Sequence, residues 1–253
     1  MPKFFVKEDQ VNSNEIIILG EDVNHIKNVL RMKIGDTFNV CNESSSENYV
    51  VEIESFNKED IICKIKEKLS NTVESNIRVH IYQGLPKADK MELIIQKSVE
   101  LGVYKITPVE MKRCVVKLEG KNRTKKIERW KKISEVAAKQ CGRDIIPEIC
   151  AVENVKEMCK EFEKYDVVLV CYENEKETFL KQVLKELKEA SKLKDDLKLA
   201  VIIGPEGGLD ISEVNLMAEN GAKVISLGSR ILRTETVSLN ILSVIMYELE
   251  SED

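Results

Sequence analysis

Histidine is almost missing from this chain: His25 and His80 are the only two in 253 residues. They lie far apart, so neither a Ser-His-Asp nor a Cys-His nucleophile system has a local signature. The seven cysteines include no CxxC pair and are odd in number, which argues against a zinc site or a disulfide framework. Most sit in apolar or amphipathic stretches, as small buried hydrophobes do. No metal is therefore expected. No apolar run approaches about 18 residues, so no membrane-spanning helix is expected. The opening Met1-Pro2-Lys3-Phe4-Phe5 has neither a long apolar stretch nor a small-residue cleavage site, so no secretory signal is read and a cytoplasmic location is expected. There is no GxGxxG and no GxxxxGK[ST], which removes the usual dinucleotide and P-loop fingerprints. Internal repeats and low-complexity tracts are missing too.

What is present is a soluble, globular balance. Charged residues make up 33% and hydrophobic ones 43%, outside the disordered range. The formal net charge of −5 at first speaks against a phosphate-rich partner. The distribution says otherwise. Lys87–Arg143 holds 16 Lys and Arg against 7 Asp and Glu, a net +9, and leaves −14 for the rest. Lys121–Lys132 alone has seven cations to one Glu. A solvated helix face usually mixes signs, so this segment reads as the footprint of an anionic partner, nucleic acid in preference to plain surface.

The first 70 residues read as a small β domain. Glu21–Met32 has the period of a short amphipathic helix, with Val23, Ile26, Val29 and Leu30 on one side. Thr37–Cys41, Tyr49–Ser55 and Ile61–Lys66 read as strands between polar turns. Ser70–Asn76 is polar and linker-like. From Ile77 the pattern alternates. Strands are expected at Ile77–Tyr82, Val103–Val109, Asp166–Cys171, Lys198–Ile203 and Lys223–Leu227. Helices are expected at Lys87–Leu101, Lys121–Cys141, Glu175–Lys194, Asp210–Asn220 and Glu235–Leu249. In Glu175–Lys194, Phe179, Leu180, Val183, Leu184 and Leu187 face inward. Asp210 and Glu213 read as a capping box. Such alternation predicts a mostly parallel sheet with helices on its faces. The chain thus divides into residues 1–70 and 71–253.

Two glycine-bearing loops follow strands near the C-terminus. They are Gly204-Pro205-Glu206-Gly207-Gly208-Leu209-Asp210 and Gly228-Ser229-Arg230-Ile231-Leu232-Arg233-Thr234-Glu235-Thr236. Loops at the carboxyl ends of parallel strands are where open α/β sheets bind ligands. On its own each loop could equally be a plain turn. The final helix is apolar nearly all round, through Val237, Leu239, Ile241, Leu242, Val244, Ile245, Met246 and Leu249. Such a helix needs cover on every face, and a second copy of the chain is the simplest cover, so a homodimer through this helix is expected.

These strings resemble a known family. Gly204–Asp210, Leu227–Thr236 and the helix after them are similar to the ribosomal RNA small subunit methyltransferase E family of the SPOUT superfamily. So are His25–Asp36, Lys90–Gly102 and Arg129–Pro147. The five blocks span nearly the whole chain in order, and Val237 stands where a small Ala is expected.

The resemblance implies a PUA-like β-barrel followed by an α/β domain with a trefoil knot. It implies S-adenosylmethionine as cofactor, a homodimer, and methylation of N3 of a uridine in 16S rRNA near the decoding centre. The small ribosomal subunit is then the partner, with neither DNA nor a membrane involved. The donor site falls on Ile203, Gly204, Gly207, Gly208, Leu227, Gly228, Ile231, Leu232 and Arg233. A nitrogen carrying a proton needs a proton acceptor, and Glu206 and Glu235 are the candidates. Arg233 or Arg230 could stabilise charge on the uracil oxygens. RNA contacts are placed on Arg31, Lys33, Lys112, Arg113, Arg129, Lys131, Lys132, Gln140 and Arg143. The rival readings are a SPOUT enzyme acting on ribose 2′-hydroxyl or tRNA, and an assembly factor that binds RNA without catalysis.

Overall fold

The computed structural model describes residues 2–70, 72–191 and 196–250. The chain forms two compact units. One comprises Met1–Glu74 with Ala138–Ile146, the other Ser75–Ala137 with Pro147–Asp253.

The first unit is built from β1 (Lys3–Val6), β2 (Glu15–Leu19), the single helical turn α1 (Glu21–Asn24), β3 (Thr37–Asn42), β4 (Asn48–Phe56) and β5 (Asp60–Leu69). The strands run in the order β1-β3-β4-β5-β2, with β1 parallel to β3 and every other pairing antiparallel. Alternation sends Ile16, Ile18, Phe38, Val40, Val51, Ile53, Ile61 and Cys63 into one core with Phe4 and Val6. The expected helix over Glu21–Met32 is shorter and wider than its period suggests. After α1 the chain makes a π turn over His25–Val29, closed by Leu30 N–H donating to the His25 carbonyl at 2.9 Å. The extra residue in that turn rotates the following side chains off the core. Val23 and Ile26 are buried, whereas Val29 is 64% exposed. Arg31 then takes a left-handed φ of 55°.

Residues 138–146 complete this unit. Asp144 accepts Thr72 Oγ1 at 2.8 Å and the Val73 N–H at 2.9 Å, and pairs with the buried Lys3 ammonium. Burial works to raise its pKa, but Lys3, Val73 and Thr72 outweigh that and hold it below the usual carboxylate value. Beside it the Arg143 guanidinium grips Glu74 at 2.8 and 2.6 Å.

The second unit contains β6 (Ile77–Gly84), α2 (Lys90–Glu100), β7 (Lys105–Glu110), α3 (Gly120–Cys141, ending in the first unit), β8 (Glu148–Ile149), β9 (Glu153–Asn154) and α4 (Val155–Cys159). It continues through β10 (Val167–Cys171), α5 (Leu180–Ser191), β11 (Leu197–Ile203), α6 (Ile211–Glu219), β12 (Lys223–Ile225) and α7 (Thr234–Leu249). Its sheet runs β12-β10-β11-β6-β7-β8, with β9 also on β7. All its pairings are parallel. The central strands are apolar on both faces because helices cover both, as a parallel sheet requires.

Two local expectations are corrected. Phe179 is 46% exposed, because α5 starts only at Leu180. Glu175 instead accepts the N–H groups of Glu177 and Thr178, which holds the chain in a turn ahead of the helix. The end of that expected helix, 192–194, lies outside the described residues. Asp210 does cap α6, but through the Ser212 N–H at 3.1 Å. Glu213 does not reach back to it, because its carboxylate is taken by the Lys112 N–H at 2.9 Å.

Helix α7 packs on α2, α5, β6 and β11. Ile241, Leu242, Ile245, Met246 and Leu249 are buried by those neighbours, while Tyr247 is 85% exposed. Among the described residues no helix is long and apolar enough to cross a membrane.

Candidate active site

Four strands of the second unit deliver their carboxyl ends to one region. Sheet order reverses there: β6 leads outward to β7, while β11, β10 and β12 lie on its other side. Such a switch point opens a crevice in parallel sheets. The crevice here has a volume of about 480 Å³, within the range of small-molecule sites. Its walls are Gly204–Leu209 after β11, Ser226–Thr234 after β12, Cys171–Glu173 at the end of β10, and Lys90 and Val237 from helices. All nine residues assigned to donor binding from the sequence line it.

The two loops differ in how their backbones are used. Gly208 takes a φ of +71°, which favours glycine, and a Cβ there would push the Glu173 carboxylate aside. In the second loop the backbone groups of Ser229–Leu232 make no hydrogen bond among the described residues. Exposed and unpaired, they are free to bind a ligand with several donors and acceptors. Ile231 is 87% exposed and adds apolar surface beside them.

A buried chain of polar groups links the loops. Gln83, at the end of β6, donates to the Gly84 carbonyl and to Thr234 Oγ1, each at 2.9 Å. Thr234 in turn donates to the Gly204 carbonyl at 2.7 Å. Gly84 has to be glycine because a Cβ would come within 2.7 Å of Pro205 in the first loop.

The charges fall into tied and free groups. Lys90 Nζ lies 3.2 Å from Glu206 and 3.1 Å from Glu235. Burial acts to raise both carboxyl groups, but backbone N–H groups and Lys90 outweigh it and hold both below the usual value. Donating to the Glu235 and Glu206 carboxylates pushes the Lys90 ammonium up, so it stays protonated. Arg230, Arg233 and Glu173 have no ion pair or side-chain hydrogen bond among the described residues. Cys171 lines the cleft, but burial pushes its thiol up to about 12, which makes it a poor nucleophile. His80 is away from the cleft, its ring nitrogens taken by Tyr165 and Thr107. Burial holds it near 3, neutral at physiological pH. Among the described residues no group of three or more His, Cys, Asp or Glu could hold a metal.

The RNA-contact candidates fall on both units and differ in their partners. Arg31, Lys33, Lys131 and Gln140 are exposed. Arg113 stands at the lip of the cleft, donating to the Gly207 carbonyl at 3.2 Å. Lys112 is held by Asp210 and Ser212, Arg129 by Glu92 at 2.6 Å, and Lys132 by Glu135 at 3.3 Å. Arg143 is 7% exposed and committed to Glu74.

The comparisons with known proteins agree with this geometry. An RNA methyltransferase domain model matches residues 73–246, and an RNA methyltransferase PUA domain model matches 18–66. A curated Bacillus subtilis protein, ribosomal RNA small subunit methyltransferase E, is 36% identical over 99% of this chain and 98% of its own length. The chain belongs to the ribosomal RNA small subunit methyltransferase E family. An Aquifex aeolicus member is 30% identical over 96% of this chain. A Neisseria gonorrhoeae family structure bound to S-adenosyl methionine superposes with a TM-score of 0.86 at 25% identity, covering 99% of this chain and 98% of that one. A Legionella pneumophila methyltransferase in complex with S-adenosylmethionine gives 0.85 at 29% identity, with 99% and 98% covered. The N-terminal unit is thus PUA-like, ahead of an α/β RNA methyltransferase domain.

Sequence reasoning missed Lys90, Glu173, Thr234 and Gln83 as site residues. Lys90 and Thr234 already lay inside the strings that carry the family resemblance. Glu173 directly follows the apolar strand Asp166–Cys171, and its position two residues past a parallel strand was the available signal. For Gln83 no local signal exists, since it is a buried amide in an otherwise apolar strand.

Proposed function

We propose that the cleft binds S-adenosylmethionine and that the protein methylates N3 of a uridine in 16S rRNA near the decoding centre, acting in the cytoplasm on the small ribosomal subunit. The observation that carries this reading is the unpaired backbone of Ser229–Leu232, facing a 480 Å³ cleft across from Gly204–Leu209. Free N–H and C=O groups suit the adenine and ribose edges. Leu209, Leu227, Ile231 and Leu232 suit the adenine faces, and unpaired Arg230 or Arg233 suits a carboxylate. The site residues thus fit the cofactor, whose sulfonium supplies the methyl group. The two loops correspond to those placed in a trefoil knot by the family resemblance.

The chain's own work is to align the reacting atoms and manage charge. Deprotonating N3 spreads negative charge onto the neighbouring oxygens. Arg233 and Arg230, untied at the rim, serve to stabilise that charge. Glu206 and Glu235, proposed from the sequence as bases, are held by Lys90 and brace the first loop against α7.

Exposed Tyr247 and half-buried Val237, Leu239 and Val244 on α7 form the surface proposed to meet a second copy of the chain. Arg31, Lys33 and the α3 cations are the proposed RNA contacts. The test is primer extension across 16S rRNA from cells lacking this chain, with methylation restored in vitro. N3 methylation blocks the pairing edge and stops reverse transcriptase. A ribose methyl would instead protect the adjacent phosphodiester from alkali, and that result would replace this reading.

A further inference from the structure

Glu173 stands two residues beyond β10 and lines the cleft with the two loops. Its carboxylate packs directly over Gly208, the glycine whose missing Cβ makes room for it. Three carboxylates stand at this site. Glu206 and Glu235 are joined by one ammonium, that of Lys90. Glu206 also accepts the Lys87 N–H at 3.0 Å. Glu173 alone of the three has no hydrogen bond and no ion pair among the described residues, and it is exposed.

We propose that Glu173 is the proton acceptor for the target nitrogen, a catalytic residue whose carboxylate touches the N3 proton of the uridine. The inference rests on the N3 reading of the reaction given above.

Atoms and electrons balance in this step. The N3 proton passes to the Glu173 carboxylate. The electron pair left on N3 forms the new bond to the methyl carbon while that carbon's bond to the sulfonium sulfur breaks, its electrons staying on sulfur. The donor loses its positive charge, and Glu173 then gives its proton to water. Its exposure provides that exit. A base has to present a lone pair that is not already shared. Glu206 and Glu235 each stand within about 3.2 Å of the Lys90 ammonium, which lowers their basicity. Glu173 gives up no partner. The contact with Gly208 fixes where this carboxylate sits: a Cβ at position 208 would force it to shift.

The test uses the full-length protein, 16S rRNA and S-adenosylmethionine in single-turnover experiments, with calorimetry of the cofactor alone. Glu173→Gln keeps the shape and removes the base. It should slow methylation at neutral pH by about 100-fold or more, the usual contribution of a general base. Cofactor affinity should change by less than about threefold, since the rate and binding effects separate in this way. The deficit should shrink as pH rises and alkali ionises N3 directly. Added formate should partly restore Glu173→Ala. Glu177→Gln, in the same loop but outside the cleft, should behave as wild type.

A Glu173→Gln rate close to wild type overturns the proposal. So does a loss confined to cofactor affinity, which would make Glu173 an anchor for the cofactor, or a deficit that neither pH nor formate relieves. A wild-type enzyme whose product fails to stop reverse transcriptase overturns the N3 reading and this proposal together. A normal stop with an unimpaired variant overturns Glu173 alone.

Discussion

Thr234 Oγ1 donates to the Gly204 carbonyl at 2.7 Å, joining the first residue of α7 to the first cleft loop. The same oxygen receives the Gln83 amide at 2.9 Å, and both side chains are buried. Thr234→Val keeps the volume and removes the hydroxyl. The Gly204 carbonyl and the Gln83 amide then each lose a partner, at a cost of about 1–3 kcal/mol. Chemical denaturation should show that loss, and calorimetry should show weaker cofactor binding. Affinity unchanged alongside lower stability would confine the bond to a folding role.

Gly208 and Gly221 both take a positive φ, of 71° and 92°. A Cβ at Gly221 meets nothing within 4 Å, whereas one at Gly208 meets Glu173. Alanine at either position incurs backbone strain of about 1–2 kcal/mol. Gly208→Ala alone should also slow methylation, because its Cβ pushes on the Glu173 carboxylate. Equal effects of the two variants on the methylation rate would count against the collision.

Lys90→Met should change the acid limb of the stability curve. Glu206 and Glu235 have folded-state pKa values held below 4.5. Groups depressed in this way contribute stability that is fully present above the unfolded-state value and lost as pH falls through the folded one. Wild-type stability should therefore decline below about pH 4.5, and Lys90→Met should lack part of that decline because its carboxylates are no longer paired. Urea titrations from neutral to acid pH would measure both curves; parallel curves would refute the linkage.

Lys3 and Asp144 are 8% and 2% exposed and pair within the N-terminal unit. Removing one member of a buried pair costs about 3–5 kcal/mol, because the other charge stays buried. Lys3→Met should lower stability by about that amount, and Lys3→Met with Asp144→Leu should recover much of it. A double variant no better than the single would show that Thr72 and Val73, not the ion pair, hold Asp144.

Lys131 is exposed and has no ion pair among the described residues, and Lys132 pairs with Glu135 at the surface. Reversing both to Glu should weaken RNA binding. It should also reduce the salt dependence of the association constant, by a slope of about 1 for each phosphate no longer neutralised. Filter binding across a salt series would decide it; an unaltered slope would remove α3 from the RNA surface.

Much of the α/β unit was legible from local pattern. The strands at Ile77–Tyr82 and Lys198–Ile203, and the buried positions Val183, Leu184 and Leu187 of α5, follow from hydrophobic period alone. Strands β1 and β2 escaped because each is short and makes sense only once paired, β1 with β3 and β2 with β5. The π turn at His25–Val29 escaped because the period assumes 3.6 residues per turn. Arg143 looked like a phosphate ligand within a basic run. The structure gives it Glu74, a partner 69 residues away.

The alternating architecture, the two glycine loops and the family are written in period, turn chemistry and motif order, which are properties of neighbours along the chain. Which charges are spent and which are free depends on contacts made across the fold. Lys90 joins Glu206 and Glu235 across more than a hundred residues of chain, Asp144 closes on Lys3, and Glu173 is left unpaired over Gly208. An ionisable group's chemistry is set by what lies within a few ångströms of it, and that distance is fixed by the fold, not by the order of the residues.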